Sequence, residues 1–326
     1  MQSDLKEIIK APWDSITKFG IAKPPLLTAG EQTKRTWAKE IESYNKVPDI
    51  YKDFYDSLLD DVASFPYTVI TPAFNGFIHR ENEKLISSQD SNIFIIENAN
   101  NQLNTTSYAI DNISYIEVGT ILLKAWIRIS GLTDKGVLSS STLRFNSVTE
   151  YMFHPFIDEI RSAENYPKTI SNSSELSKFD HLSKVNFKFM NYARNSILPG
   201  EQIVDHIFQP EIRTVLFSLF GKNLYLTKIA PHIGILTEKE LIIIRDTVIG
   251  RMNESKRFGG IWNYIPLKKI CSACLSANGD DLFKLSIILS ANEHIDTLFS
   301  ASEKPEVEQM LKKLKDLLPG VIINQD

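Results

Sequence analysis

The sequence predicts an α+β protein made of two tandem, antiparallel, partly open β-barrels, each ending in a C-terminal amphipathic helix, with one N-terminal helical segment before them. Three observations predict this class. Short apolar runs alternate with polar turn formers in two series, and each series passes into a stretch of helical period. Consecutive runs are not separated by long helices, which excludes a doubly wound parallel sheet.

Length, composition and charge restrict the class of protein further. The chain has 326 residues, 43% hydrophobic and 23% charged, which is typical of a globular protein of about two domains. A formal net charge of -4 argues against a general nucleic-acid binder, because no basic field is available for phosphates. There is no apolar leader and no run of about 18 apolar residues. We therefore expect a cytoplasmic protein.

Residues 1–62 are predicted to form the N-terminal helical segment. Trp37, Ile41 and Tyr44 share one helical face, and a second aromatic stripe follows Pro48. Such stripes usually pack against their own domain. We expect this segment to be packed in that way rather than displayed to a partner.

The first predicted domain, residues 63–163, contains seven strand candidates. A capping-box pattern, Ser147–Glu150, then predicts the start of a helix. Pro155 requires that this helix either kinks or begins nearer the proline. The strand candidates are PYTVITP, EKLISS, NIFIIEN, TTSYAIDNI, SYIEVG, TILLKAWIRIS and STLRFN.

Residues 164–196 are predicted to be a linker and connecting segment. The stretch from Ala163 to Ser183 is rich in Ser, Asn, Lys and Glu and has little periodicity. The stretch from Lys184 to Ile197 fits either a strand or a helix, since its apolar residues recur at both periods.

The second predicted domain, residues 197–326, opens with the strand candidate QIVDHIFQPEI. HIGILT and ELIIIRD follow, joined by a polar tetrapeptide, Thr237–Glu240, that fits a hairpin turn. A final helix is predicted between Pro305, which suits a first helical turn, and Gly320, which suits the position after the end. Between ELIIIRD and this final helix lie the strand candidates IWNYIPL, KKICSACL, LFKLSIILS and HIDTLFS.

The two domains show weak internal similarity. Leu122–Ser130 aligns without a gap to Leu282–Ser290, 160 residues later. The tetrapeptides IDNI and LKKI match at a spacing of 157 residues, and the apolar positions of the two predicted helices match at 154. The changes in spacing fall in loops, so the pattern favours a duplication over two unrelated α+β domains.

A family resemblance rests on four stretches of the second domain. PHIGILTEKELIIIRD, IWNYIPLKKI, SEKPEVEQMLKKLKDLL and LPGEQIV resemble the bacterial pleckstrin-homology-like (PH-like) domain. The first domain resembles this family mainly through the internal repeat. The resemblance implies two tandem PH-like domains in a bacterial protein, and it carries no catalytic signature.

We find no residues that predict catalysis or cofactor binding. The sequence lacks GxGxxG, a Walker-type loop, HExxH and GxSxG. The neighbouring pairs Asp180–His181 and Asp205–His206 do not establish a dyad, because adjacent residues of a strand point apart. We expect a protein that is not an enzyme, with no catalytic residues and no cofactor.

The two cysteines, Cys271 and Cys274, have the CxxC spacing of redox and metal sites. They lie in a strand-like run rather than at a helix N-terminus, which would stabilise a thiolate. Residues i and i+3 of a strand point to opposite faces, and no further ligand pair completes a zinc site. We expect two ordinary strand cysteines and no metal site.

Two features are candidates for ligand or partner binding. Arg251, Lys256 and Arg257 form a basic loop, with Glu254 partly offsetting their charge. Such a loop either attracts an anionic membrane surface or is simply solvated. Trp126 lies on the more polar face of its strand and is either a partner contact or covered by the N-terminal helices. Exposed strand edges are a further route to peptide binding.

These observations lead to three hypotheses. The first is a non-enzymatic binding or assembly module whose partner is a protein or peptide, a second copy of the chain included. The second is a peripheral binder of anionic, phosphoinositide-type lipid that uses the basic loop 251–257. The third is an enzyme of unrecognised class. Nucleic acid is not expected as a partner, and a membrane surface is the less favoured one.

Overall fold

The computed structural model describes residues 29–59, 65–75, 80–162, 173–219, 222–246, 258–279, 281–290 and 293–325. The chain divides into two compact units, residues 1–36 and residues 37–326. In the first unit, the described residues form one short helix, α1 (Ala29–Lys34). No helix in the described ranges is both long and apolar enough to cross a membrane.

Antiparallel strands dominate the first part of the larger unit, which confirms the α+β class. One sheet has five strands in the order β1-β2-β5-β6-β7, and β3 and β4 form a separate hairpin. In chain order the elements are β1 (Lys39–Glu40), α2 (Asp49–Leu59), β2 (Tyr67–Thr71), β3 (Phe74–Asn75), β4 (Arg80–Glu81), β5 (Glu83–Gln89), β6 (Asn92–Ala99), β7 (Gln102–Ala109), β8 (Ile113–Ile121), β9 (Lys124–Leu132), β10 (Leu138–Asn146) and α3 (His154–Arg161).

The rest of the larger unit again consists mainly of strands. A four-stranded sheet has the order β19-β18-β17-β20, in which β20 pairs in parallel with β17, and β12 and β13 form a hairpin. The elements are α4 (Ser173–Leu176), α5 (Phe187–Ser196), β11 (Ile203–Gln209), β12 (Ile212–Leu219), β13 (Lys222–Ile229), β14 (His232–Thr237), β15 (Glu240–Arg245), β16 (Gly259–Pro266), β17 (Ile270–Ala277), β18 (Leu282–Leu289), β19 (His294–Ser300), α6 (Lys304–Leu317) and β20 (Ile322–Gln325).

One order of strands occurs twice along the chain. Strands β2, β5, β6 and β7 pair in succession, with the β3–β4 hairpin after the first. Strands β11, β14, β15 and β16 do the same, with the β12–β13 hairpin after the first. In each series a short 3-10 turn, three antiparallel strands and a helix follow. We call residues 67–161 the first half and residues 203–317 the second half.

The two halves share a seven-stranded antiparallel sheet of order β10-β9-β8-β16-β15-β14-β11. It is continuous because β8 of the first half pairs with β16 of the second, from Gly259 opposite Ile121 to Tyr264 opposite Ile116. None of the sheets in the described ranges closes into a barrel. Part of the reason is that the outer edge of β8 is used by the other half.

Alternating side chains place an apolar core on each face of the seven-stranded sheet. One core contains Ile116 and Ile242 and is covered by α3 and α5, through residues such as Phe156 and Phe189. The other contains residues such as Ile243 and is covered by the four-stranded sheet and α6. The predicted apolar stripe of α6 is buried, as are the helix-spaced residues of the first half: Phe153, Phe156, Ile157, Ile160, Val307, Met310, Leu311 and Leu314.

The prediction of an N-terminal helical segment, residues 1–62, is wrong for part of its described range. Residues 1–28 and 60–62 lie outside the described residues. Lys39 and Glu40 form an edge strand opposite Ile70 and Val69 of β2, in place of the predicted helical face from Trp37 to Tyr44. Three residues at helical spacing are too short a pattern to outweigh pairing with an available strand edge. Helix α2 does form where predicted.

Two other local predictions need correction, and the position of Pro155 decides between two stated alternatives. The turn between β8 and β9 lies at Leu122 and Leu123, within a predicted strand, and Leu122 adopts a positive φ of 54°. Leucines are not typical turn residues, which explains the miss. The residue that caps the turn before α3 is Asn146, whose side chain accepts a hydrogen bond from the Val148 N–H, not Ser147. Pro155 lies in the first turn of α3, as the second alternative predicted.

The predicted linker is partly structured. Residues 163–172 lie outside the described residues, but α4 and a 3-10 helix, Ser177–Lys184, follow directly. Phe179 and Leu182, three residues apart, are fully buried. The sequence did not predict this buried turn, because most of the surrounding residues are polar. The ambiguous stretch that follows is the helix α5, with Phe189 and Ala193 buried one turn apart.

A buried ion pair joins α3 of the first half to β15 of the second. The Arg161 Nε donates to both carboxylate oxygens of Glu240, at 3.1 and 3.3 Å, and its Nη2 donates to the Ser196 carbonyl at 2.6 Å. The guanidinium also lies 3.9 Å from the centre of the Tyr264 ring. Both charged side chains are only 6% exposed. Although burial alone would lower the pKa of Arg161, the Glu240 carboxylate raises it.

Glu201 is buried beside this pair and accepts a hydrogen bond from the Leu198 N–H at 2.8 Å. Burial, and then the charge of Glu240, raise the pKa of Glu201 to about 7. The folded protein therefore favours the protonated carboxyl more than the unfolded chain does, so stability is lost as the pH rises from about 4.5 to 7.

Replacement of Arg161 by Leu is expected to lower the free energy of unfolding by about 3–5 kcal/mol, because it leaves the Glu240 carboxylate buried without a counter-charge. Urea denaturation measures this loss. Arg144→Leu, which removes the exposed pair of Arg144 with Glu81, is the matched control and is expected to cost at most about 1 kcal/mol. Equal losses in the two variants would contradict a structural role for the buried pair.

Glu201→Gln is expected to become more stabilising, relative to the natural chain, as the pH rises from 5 to 8. The pKa shift from 4.5 to about 7 corresponds to a change of about 3 kcal/mol in the difference between their free energies of unfolding. The reason is that the buried amide of Gln stays neutral, whereas the buried carboxyl of Glu becomes charged. Denaturant unfolding of both proteins at several pH values measures the difference. A difference that does not vary with pH would show that Glu201 is not the titrating group.

Candidate functional site

The shared sheet places a group of polar side chains on one face, beside the core that contains Ile243 and is covered by the four-stranded sheet and α6. Glu117, Trp126 and Arg128 come from β8 and β9 of the first half, and Arg245 and Asn263 come from β15 and β16 of the second. Glu117 lies opposite Arg128 in one strand pair and opposite Asn263 in the next, so strand alternation directs these side chains to the same face. We call these five residues the sheet-face cluster.

The Glu117 carboxylate is the centre of the cluster. The indole N–H of Trp126 donates to its Oε1 at 2.9 Å, and the Asn263 amide donates to its Oε2 at 3.4 Å. The guanidinium of Arg128 lies 3.6 Å from Oε1, and that of Arg245 lies 3.8 Å from Oε2. Two cations from different halves therefore face one carboxylate, each at more than hydrogen-bonding distance.

Trp126 lies flat against its own sheet. Its cross-strand neighbour is Gly119, where a Cβ atom would come within 2.0 Å of the indole ring. A glycine is therefore needed for this ring position. Helix α2 instead packs on the five-stranded sheet, where Tyr51 contacts a cluster that includes Leu85 and Ile96. Trp126 remains half-buried, with part of its ring available to a ligand.

Burial sets the electrostatics around the cluster. It lowers the pKa of Arg245, an effect partly opposed by Glu117 and Tyr115. The pKa of Tyr115 is raised, first by burial and then by the nearby charge of Glu293. Glu293 reaches over the sheet and accepts a hydrogen bond from the Ser130 hydroxyl. The site therefore combines two guanidiniums with two carboxylates, only one of which lies between the cations.

His232, on β14, lies opposite Arg245 in the strand pair but acts as part of the core. Its Nδ1 donates to the Ala230 carbonyl at 3.0 Å, and its ring meets the edge of Phe299 at 4.8 Å between centres. Burial lowers its pKa to about 4, so the ring is neutral at pH 7. A neutral ring adds no charge to the cluster.

The structure describes only one of the four predicted contact residues. Arg251, Lys256 and Arg257 lie outside the described residues, and Trp126 belongs to the sheet-face cluster. Sequence reasoning missed Arg128, Arg245, Glu117 and Asn263 as members. The available signal was the occurrence of polar residues at alternate positions within apolar strands, as in KAWIRIS and IWNYIPL, but only the pairing of β8 with β16 shows which of them meet.

The other polar groups singled out from the sequence do not form a catalytic arrangement in the described residues. The rings of His181 and His206 lie 5.1 Å apart, while Asp180 pairs with Arg194. Burial, then the charge of His181, lower the pKa of His206. No group of three potential metal ligands occurs within the described ranges.

The two cysteines are free and lie in β17, as predicted. Cys271 is exposed and Cys274 is half-buried. A register irregularity between Ile270 and Ser272 explains the exposure of Cys271, because a bulge interrupts the alternation of the strand.

The edges of the shared sheet are protected rather than open. Lys84 donates to the Thr142 carbonyl on β10 at 2.8 Å. On the opposite edge, Lys178 donates to the Ile203 carbonyl at 2.7 Å and α6 packs along β11. Lysines and helices are common means of blocking strand addition. Peptide binding by these two edges is therefore disfavoured, which leaves the sheet face as the better candidate.

Searches of the sequence against protein-family models and against curated proteins gave no match.

Proposed function

We propose that the chain is a non-enzymatic binding module built on two tandem PH-like domains, with the sheet-face cluster as its contact surface. The observation that carries this proposal is that one half-exposed surface combines residues of both halves through the pairing of β8 with β16. A surface of this kind exists only when the two halves are assembled. The partner is a protein or peptide, a second copy of the chain included.

The repeated strand order supports the PH-like part of the proposal. Each half has four successive strands, then three strands and a helix. This is the order that the family resemblance implies, and the matched stretches of sequence occupy equivalent elements. The tetrapeptides IDNI and LKKI, for example, both include the 3-10 turn between the fourth and fifth strands.

The contacts within the cluster support a binding role over a catalytic one. Its side chains hold one another through Glu117, and none of the five cluster residues is a nucleophile paired with a base. Guanidinium groups and an amphipathic aromatic ring are enriched at protein recognition surfaces.

A second candidate function, peripheral binding to an anionic membrane, is favoured by an exposed apolar tip at one end of the shared sheet. The Leu122 N–H donates to the Phe258 carbonyl at 3.1 Å, and the Ser147 N–H donates to the Leu123 carbonyl at 3.0 Å. The tip consists of Leu122, Leu123, Val148 and Phe258, each about half exposed or more. Exposed apolar groups of this kind mark protein or membrane contacts.

Reversal of charge at Arg128 tests the binding module. Immobilised natural chain is expected to retain a partner from a lysate of the source cells that Arg128→Glu loses. Arg144→Glu, an equal charge change on the same face of the next strand, is expected to retain it. Light scattering on the same three proteins shows whether that partner is a second copy. Retention by all three proteins, or by none, would contradict the proposal.

Flotation with vesicles tests the membrane candidate. At low salt, the chain is expected to float with phosphatidylglycerol-containing vesicles and not with phosphatidylcholine alone. Leu123→Glu is expected to abolish flotation, because it puts a charge at the apolar tip. Val137→Glu changes an equally exposed residue at the opposite end of β9 and is expected to have no effect. If the natural chain stays unbound at low salt, this candidate is discarded.

A further inference from the structure

The two guanidiniums of the sheet-face cluster keep several N–H donors without a partner in the described residues, although Arg128 also shares a side-chain hydrogen bond with Tyr115. Each carries five N–H groups. Among the described contacts, the Arg128 Nε donates to the Thr142 hydroxyl at 3.3 Å, and the Arg245 Nη2 donates to the Asn263 side chain at 2.8 Å. The Arg245 Nε is buried and has no hydrogen-bond partner within the described ranges.

The one carboxylate between the guanidiniums does not saturate them. Its closest bond is the one from the Trp126 indole, and its separations from both cations exceed hydrogen-bonding distance. The Oε1 of Glu293 accepts from the Ser130 hydroxyl, its buried Oε2 has no hydrogen-bond partner in the described residues, and no ion pair within 4.0 Å joins Glu293 to Arg128 or Arg245 there. One further planar acceptor between the guanidiniums would give each cation a close partner.

We propose that the sheet-face cluster binds a carboxylate group carried by an acidic peptide of a protein partner. The inference rests on the proposed function and specifies its ligand. Guanidiniums match a planar carboxylate in a two-bond geometry. A dianionic phosphate is disfavoured, because it would lie beside the negative charges of Glu117 and Glu293.

The openness of the site selects a peptide over a small molecule. The side chains of Arg128 and Arg245 are 36% and 32% exposed, so they form a shallow face rather than a cavity that encloses a ligand. Small ligands bind in sites that bury most of their surface. A peptide gains additional contact along the sheet, where the half-buried Trp126 ring offers a flat apolar surface beside the cations.

Titration of the full chain with acetyl-triglutamate amide tests the proposal. Ionic strength is held constant with sodium chloride, and binding is followed by calorimetry and by tryptophan fluorescence, with Trp126→Phe identifying the signal of this residue. Saturable binding is expected. Arg128→Gln is expected to weaken it about tenfold, as for loss of a charge-assisted hydrogen bond, whereas Arg144→Gln changes it less than twofold. Circular dichroism checks that both variants remain folded.

The following results would overturn the carboxylate proposal. They are the absence of saturable binding, an equal loss in the Arg144→Gln control, and inorganic phosphate binding as tightly as the peptide at the same ionic strength. None of them decides the broader proposal, which depends on whether a cellular partner is lost from Arg128→Glu alone. Acetyl-trilysine amide, the oppositely charged peptide, is expected not to bind, and equal binding of it would likewise contradict the proposal.

Discussion

The pairing of β8 with β16 is the constraint on which the rest of the structure depends. It joins three strands of the first half to four strands of the second, so one sheet carries an apolar core on each face. The same pairing brings Glu117 of one half next to Asn263 of the other. Without it, the two arginines of the sheet-face cluster would belong to separate surfaces. Fold and candidate site therefore have a common cause.

The buried pair of Arg161 with Glu240 complements this pairing. Backbone hydrogen bonds between two strands do not by themselves specify one register, whereas a charged group buried without its partner is costly. Arg161 extends from the end of α3 and meets both Glu240 of the second half and the Ser196 carbonyl. An alignment that separated Arg161 from Glu240 would leave a buried charge without its partner.

The contacts of the sheet-face cluster converge on the Glu117 carboxylate. The cluster exposes two cations and part of an aromatic ring on a shallow face, whereas the Asn263 amide, His232 and Glu201 are buried. The lysines along the outer strands block edge pairing at the same time. Because the edges of the shared sheet are blocked and the sheet-face cluster is exposed, a binding partner would contact the side chains of that face.

The sequence by itself determined most of the secondary structure, because strand alternation and helical period are local properties. Seven of the nine strands of the first half, the hairpin between β14 and β15, and the buried stripe of α6 were predicted from spacing alone, whereas the β3–β4 hairpin, the β12–β13 hairpin and β20 were not. The misses were also local. Leu122 occupies a turn that its residue type does not suggest, and Lys39 pairs with β2 because an edge was available there.

Only the tertiary structure decided which strands of the two halves pair and where the candidate site lies. Of the residues predicted to contact a ligand, Trp126 belongs to the cluster. Its contact with Glu117 depends on strand register. The approach of Arg245 to Glu117 depends on a pairing between strands that are more than a hundred residues apart in the sequence. Local patterns contain no information on such pairing, since any free strand edge offers the same hydrogen bonds. The sequence therefore specified the strands, and long-range packing chose their neighbours.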